Sequence, residues 1–155
     1  MNGRQEVHRL KQRLEATLAR APLSTVDLEV QSDFAKYFCI LVSGFFENAL
    51  IALILDVAQN RSAPEIVLFV ERQLDYWTNP NSEKIFQLFG NFNPEWRSAL
   101  ENYIVDDKKA AVNSLVALRN KIAHGESVGT SLSQIKSYYI TVLDIIDFVA
   151  NLIGA

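Results

Sequence analysis

From about Thr25 to Asn60 the chain runs without a proline and with one glycine, Gly44, through a stretch rich in Leu, Ile, Ala and Phe. Such a stretch reads as one long helix. Its apolar centre, Phe38 to Val57, has to be covered either by other helices or by lipid. Glu47 and Asn48 sit in the middle of that run. A charge at bilayer depth costs roughly 2.5–3.5 kcal/mol on insertion scales. The stretch is therefore expected to be the buried core helix of a bundle.

The flanking sequence supplies the cover. Residues 4 to 20 are expected to form a first helix, with Val7, Leu10, Leu14 and Leu18 on one stripe and Pro22 behind it. Pro64 suits the first turn of a third helix running to about Tyr76, with Ser62 as its cap. Asn79-Pro80 and Asn93-Pro94 each read as an asparagine cap followed by a first-turn proline. They open short helices that end near Gly90 and Ile104. Asp106 or Asp107 is expected to cap a helix running to about His124, with Ala111, Leu115, Leu118 and Ile122 inward and Gly125 as terminator. Ser131 and Gln134 make a capping-box pattern for the last helix, Leu132 to Ile153. Its inward face is Ile135, Tyr139, Val142, Ile146 and Val149.

The expectation is an all-α fold, a helical bundle of four or more long helices, in a single domain spanning 1–155. Within it, 1–24 forms the N-terminal helix and 77–105 reads as an insertion packed on the frame. With 6 glycines and 4 prolines in 155 residues, the composition argues against a turn-rich β-sandwich and against disorder. There is no repeat, low-complexity tract or linker.

The formal net charge is −3, so a broad basic surface for duplex nucleic acid is not expected and any RNA contact should be local and short. Basic residues gather early, at Arg4, Arg9, Lys11, Arg13 and Arg20, a pattern usual for a solvated helix face. The lone Cys39 cannot form an internal disulfide and lies in an apolar stretch, so it reads as a core residue in a reducing cytoplasm. The polar, charged N-terminus does not read as a signal peptide, and no membrane association is expected. His8 reads as a surface residue. Trp77 and the pair Tyr138-Tyr139 could stack bases, but aromatics at helical spacing are usually core. No Cys, His or Asp cluster has metal-ligand spacing, and there is no glycine-rich phosphate loop or nucleophile elbow. No metal or cofactor is therefore expected.

Chemistry concentrates in Arg119-Asn120-Lys121-Ile122-Ala123-His124-Gly125. Arginine stays cationic and can hold a phosphate by two parallel hydrogen bonds. Histidine titrates near neutrality and can move a proton. Asn120 could orient either partner or bind a phosphate oxygen. Together these groups could activate a ribose 2′-hydroxyl against the adjacent phosphate without a metal. Five helical steps turn about 140°, so Arg119 and His124 do not share a face, whereas Asn120 and His124 do. The plain structural alternative is that both cationic residues only favour the helix C-terminus.

The segment Leu115 to Gly125 resembles the HEPN signature, in which arginine, a polar residue, three further positions and histidine close a core helix. Phe38 to Glu47 is similar to the glutamate-bearing helix of the RiboL-PSP branch of HEPN proteins. The resemblance runs from about residue 25 to 150. It implies a helical bundle that forms a homodimer, so that two motifs meet in one composite cleft. It also implies RNA as substrate, cleaved without metal, often by toxins or antiphage effectors held by an antitoxin or another regulatory protein. Carried over, Arg119 binds and polarises the phosphate, His124 is general base or acid, and Asn120 fills the polar position. Glu47, on the stripe Lys36, Ile40, Ser43, Glu47, is expected to face the motif helix and pair with Arg119 or orient His124. HEPN toxins partnered by minimal nucleotidyltransferases carry a tyrosine two positions after the histidine. Glu126 stands there, so inactivation by nucleotide transfer to that tyrosine is not expected. The other reading of the resemblance is a non-catalytic dimerisation module in a larger assembly.

Overall fold

A computed structural model describes residues 2–22 and 27–155, which contain seven helices and no strand. They are α1 (Gly3–Leu18), α2 (Leu28–Arg61), α3 (Pro64–Leu74), α4 (Ser82–Phe92), α5 (Pro94–Tyr103), α6 (Asp106–Ala123) and α7 (Leu132–Ile153). The expected start of the long helix at Thr25 lies outside the described residues.

Helix α2 is the axis of the molecule. Phe38, Cys39, Val42, Phe46, Ala49, Leu50, Leu53 and Ile54 are all sealed from solvent, and α1, α3, α6 and α7 pack around it. It is long and apolar enough to cross a membrane, yet more than half of its most apolar stretch is buried inside the bundle. The all-round hydrophobicity is thus consumed by helix–helix packing. Truncating one of its core leucines, Leu50 for example, should cost about 2–5 kcal/mol.

The directions of the helices decide what meets what. The start of α1 lies on the far end of α2: a Cβ on Gly3 would stand 2.9 Å from Asp56 Cβ and 3.0 Å from the Ala52 carbonyl oxygen, so this contact requires glycine. Helices α2 and α7 run the same way, since Phe38 meets Tyr139 edge-on at one end and Arg61 donates to the Ile153 carbonyl at the other. Helix α6 runs against α7, with Lys108 near Asp144. One pole therefore gathers the end of α1, the start of α2, the end of α6 and the start of α7. The opposite pole is tied by Arg4, whose guanidinium reaches the Ala155 carbonyl at 2.6 Å and Asn151 Oδ1 at 2.8 Å.

Two helix starts follow the caps read from sequence. Asn93 accepts from the Glu95 N–H ahead of Pro94, and Ser131 accepts from Gln134. Three do not. Helix α3 starts after Ala63, with no side-chain cap from Ser62. Helix α6 starts after Val105, and neither Asp106 nor Asp107 caps it by its side chain. Helix α4 is capped by Asn81, which accepts from the Lys84 N–H, not by Asn79. Asn79 instead lies in the left-handed region at φ 49, followed by a buried Pro80. The glycine inside α2, Gly44, serves no close helix approach, since nothing from outside its own helix backbone lies within 4 Å of the place its Cβ would take. Helices α4 and α5 pair with each other and rest on α6 and α7. Tyr103 stacks on Phe148 at 3.8 Å and donates to Asp144 at 2.6 Å.

Candidate functional site

The motif closes α6 at the pole where four helix ends meet. Val112, Leu115 and Val116 form the buried face of α6. Arg119, four residues after Leu115, continues that face and is partly buried. Its charge is felt at Cys39 on α2, where burial pushes the thiol up to about 11 while the guanidinium pulls the other way. Burying part of a cation normally calls for a carboxylate. Among the described residues Arg119 has none within ion-pairing distance. Its one side-chain hydrogen bond is a long contact, 3.5 Å, from Nη1 to Asn120 Oδ1.

His124 is the C-cap of α6, with φ −88 and ψ 6, and its side chain is exposed. The turn that follows is fixed by backbone. Gly125, at φ +72, donates to the Ile122 carbonyl, and Glu126 donates to the Lys121 carbonyl at 3.0 Å. Two of the helix's last carbonyls are satisfied in this way, and a glycine suits the left-handed residue between them. The imidazole is held on a defined turn, not a frayed one. From Arg119 to His124 the helix turns about 140° and rises about 7.5 Å. One copy of the chain therefore offers the guanidinium and the imidazole on different sides of α6. Asn120, partly buried, lies between them in sequence and on the face of His124.

Glu47 does not pair with Arg119. Its Oε2 accepts the backbone N–H of Asn79 at 2.6 Å, and it lines a cleft against α3 with Trp77 and Thr78. The reason is helical geometry. Cys39, which feels Arg119, is eight residues before Glu47, a displacement of about 12 Å along α2 and about 80° around it. The carboxylate serves the strained turn instead, binding the N–H of a residue whose positive φ is unfavourable for a side-chain-bearing amino acid.

A cleft of about 380 Å³ adjoins the motif between α6 and α7. It is lined by Ser114, Lys121, Val128, Gly129, Gln134 and Tyr138 among others, not by Arg119 or His124. Lys121 is exposed in the last turn of α6 and adds a second cation to the pole. The signal for it in the sequence is a basic residue one turn before the terminating glycine. Of the other candidates, His8 is exposed, Cys39 is core, Tyr139 is core with its hydroxyl donating to Glu15, and Trp77 is partly buried against the core. Among the described residues no group of three or more His, Cys, Asp or Glu is placed to hold a metal ion.

A family model for RiboL-PSP-HEPN domains matches residues 5–155. The chain belongs to that family. The match covers nearly the whole chain, so the α4–α5 pair lies inside the HEPN domain's matched span. HEPN domains act as ribonucleases or as nucleotide-binding modules, and the all-helical bundle is consistent with that family. No curated protein and no solved structure matches this chain.

Proposed function

We propose that this HEPN domain is a metal-independent endoribonuclease that works as a homodimer, with Arg119 and His124 as its catalytic residues. The observation that carries the reading is the state of Arg119. A partly buried guanidinium with no carboxylate partner among the described residues, five residues before an exposed imidazole on a fixed cap, is arranged for an anion from outside the protein. Two copies related by a two-fold axis at the motif pole would bring the groups of both chains to one phosphodiester. This removes the obstacle of the 140° divergence within one chain.

The reaction balances without further reagents. His124 takes the proton of a ribose 2′-hydroxyl, whose oxygen attacks the adjacent phosphorus. The bond from phosphorus to the 5′-oxygen breaks, and that oxygen leaves with a proton from the imidazolium of the second copy. The products are a 2′,3′-cyclic phosphate and a 5′-hydroxyl. Arg119 holds the non-bridging oxygens and stabilises the charge that builds there. Asn120 orients the guanidinium. Glu47 stands outside the reaction and positions the turn at Asn79. In the cell this activity would be that of a toxin or antiphage effector, restrained by a protein partner.

Incubating purified protein with RNA in the presence of a chelator tests the reading. Wild type should cleave and leave cyclic-phosphate ends. Arg119→Ala and His124→Ala should each lose about 100-fold or more, the usual contribution of a positioned acid–base or charge-stabilising group. Cleavage that survives in either variant removes that residue from the chemistry. No cleavage by wild type across many RNAs leaves the second reading, a dimerisation module. That reading draws support from the apolar side chains exposed on the leading halves of α2 and α7, Leu28 at 80% and Ile140 at 68%.

A further inference from the structure

A second feature near the motif pole lies on the other side of α2. A groove of about 320 Å³ runs between α1 and α2, walled by Arg13 and Thr17 on one helix and by Tyr37, Ile40 and Asn48 on the other. Its floor is open at Gly44, where no atom from outside its own helix backbone lies within 4 Å of a would-be Cβ. Positions 37, 40, 44 and 48 fall on one stripe of α2, so Gly44 is the gap in an otherwise continuous wall. Tyr37 is 52% exposed as a residue, and Phe34 meets its ring edge-on at 6.3 Å. Arg13 is exposed and has no carboxylate within ion-pairing distance among the described residues. The cations near it are committed elsewhere: Arg9 to Glu6 and Lys11 to Glu15.

A fixed aromatic face, a glycine gap beside it, an amide and an uncommitted guanidinium are what one nucleotide of a single strand requires. The ring takes the base, the gap gives it depth, the amide meets its edge and the guanidinium meets the phosphate. We propose that this α1–α2 groove is a subsite for one nucleotide of single-stranded RNA, with Tyr37 stacking the base over Gly44 and Arg13 holding the adjacent phosphate. Tyr37 and Cys39 are two residues apart, about 200° around α2. The groove and Arg119 thus flank the same end of one helix, and a strand crossing the first turns of α2 would touch both. The choice of RNA as ligand rests on the ribonuclease reading.

The test uses a short fluorescein-labelled 2′-O-methyl RNA, which lacks the nucleophile and cannot be cut, with binding read by anisotropy. Gly44→Leu fills the gap from a position with open space, in a helix where glycine is unfavourable, so its melting temperature should match or exceed wild type. Gly44→Leu and Tyr37→Ala should each weaken binding about tenfold, the effect of losing one stacked base. Arg13→Gln should lower the slope of log affinity against log salt by about 0.7. Duplex RNA should bind more weakly than single strand. The proposal is overturned if wild type does not bind the probe, or if folded Tyr37→Ala binds within twofold of wild type. It also falls if Gly44→Leu changes the mass by light scattering while RNA affinity stays, which would make the groove a protein interface. The two readings fail separately. Groove-dependent binding with no cleavage of ordinary RNA removes the nuclease and keeps the subsite; cleavage with indifferent groove variants does the reverse.

Discussion

Removing Glu47 should destabilise the fold without touching the chemistry. Its carboxylate accepts the Asn79 N–H at 2.6 Å from a half-buried position, a charge-assisted hydrogen bond to backbone. Bonds of that type contribute about 1.5–3 kcal/mol. In a chain of 155 residues each kcal/mol moves the melting temperature by about 2–4 °C. Glu47→Ala should therefore melt about 3–12 °C below wild type by circular dichroism. Glu47→Gln keeps an acceptor and loses only the charge, so it should fall by about 2–4 °C. The φ of 49 at Asn79 is strained for a residue with a Cβ in wild type and variant alike, so relieving it offsets part of the Glu47→Ala loss without restoring the anchor. Asn79→Gly in the Glu47→Ala background should recover some of it. RNA cleavage per folded molecule should be unchanged in Glu47→Gln. A Glu47→Ala protein that melts within a degree of wild type would refute the anchoring role. Lost cleavage at an unchanged melting temperature would put the carboxylate back in the reaction.

Gly125→Ala should cost about 1–2 kcal/mol, all of it backbone strain, because φ is +72 and nothing lies near the added Cβ. Its cleavage should fall further than its stability, since the same turn holds His124, and Gly125→Asn should be milder in both assays. The buried Cys39 thiol, raised from its ordinary 9 to about 11, should resist a thiol reagent at pH 8 until the protein unfolds; fast labelling of native protein would contradict its burial. The same shift sets a pH dependence. Below pH 9 the thiol is neutral in both states, and between about pH 9 and 11 only the unfolded chain ionises. Stability should drop across that window by up to about 3 kcal/mol, and Cys39→Ala, though less stable at neutral pH, should lose less of its stability there.

The bundle was legible because its signals are local and redundant. The inward residues of α7, Ile135, Tyr139, Val142, Ile146 and Val149, are all buried, and the apolar run of α2 became the core. Gly125 ended α6 as its position demanded. The misreadings are of two kinds. Asn79-Pro80 looked like a cap and first turn, yet Asn81 lies two residues on and can bond Lys84 equally well; a distant carboxylate, Glu47, decided between them. Glu47 itself was expected at the motif from the stripe Lys36, Ile40, Ser43, Glu47 and from the glutamate-bearing helix of the resemblance. Sequence spacing gives the face of α2 it occupies, but not which neighbour covers that face. The groove at Gly44 was missed for the same reason. A glycine inside a helix suggests close approach, and only the position of α1 shows that the space was left open.

The end of a helix is an odd place to bind phosphate, and this shapes what the site has to contain. Aligned peptide dipoles give a C-terminus roughly half a negative charge, which repels an anion. A two-fold axis at the motif pole would bring two such termini together and compound the repulsion. Part of the field is quenched where the Gly125 and Glu126 N–H groups occupy the last carbonyls. The rest must be offset by side-chain cations, and each copy supplies Arg119 and Lys121 near the pole, with His124 joining when protonated. On this argument the arrangement depends on charge more than on shape. Arg119→Lys retains the charge and loses the two-pronged grip, so it should keep RNA affinity while losing most cleavage. Arg119→Gln should lose both. The divergence of these two variants separates an arginine that stabilises developing charge from one that only neutralises a helix end.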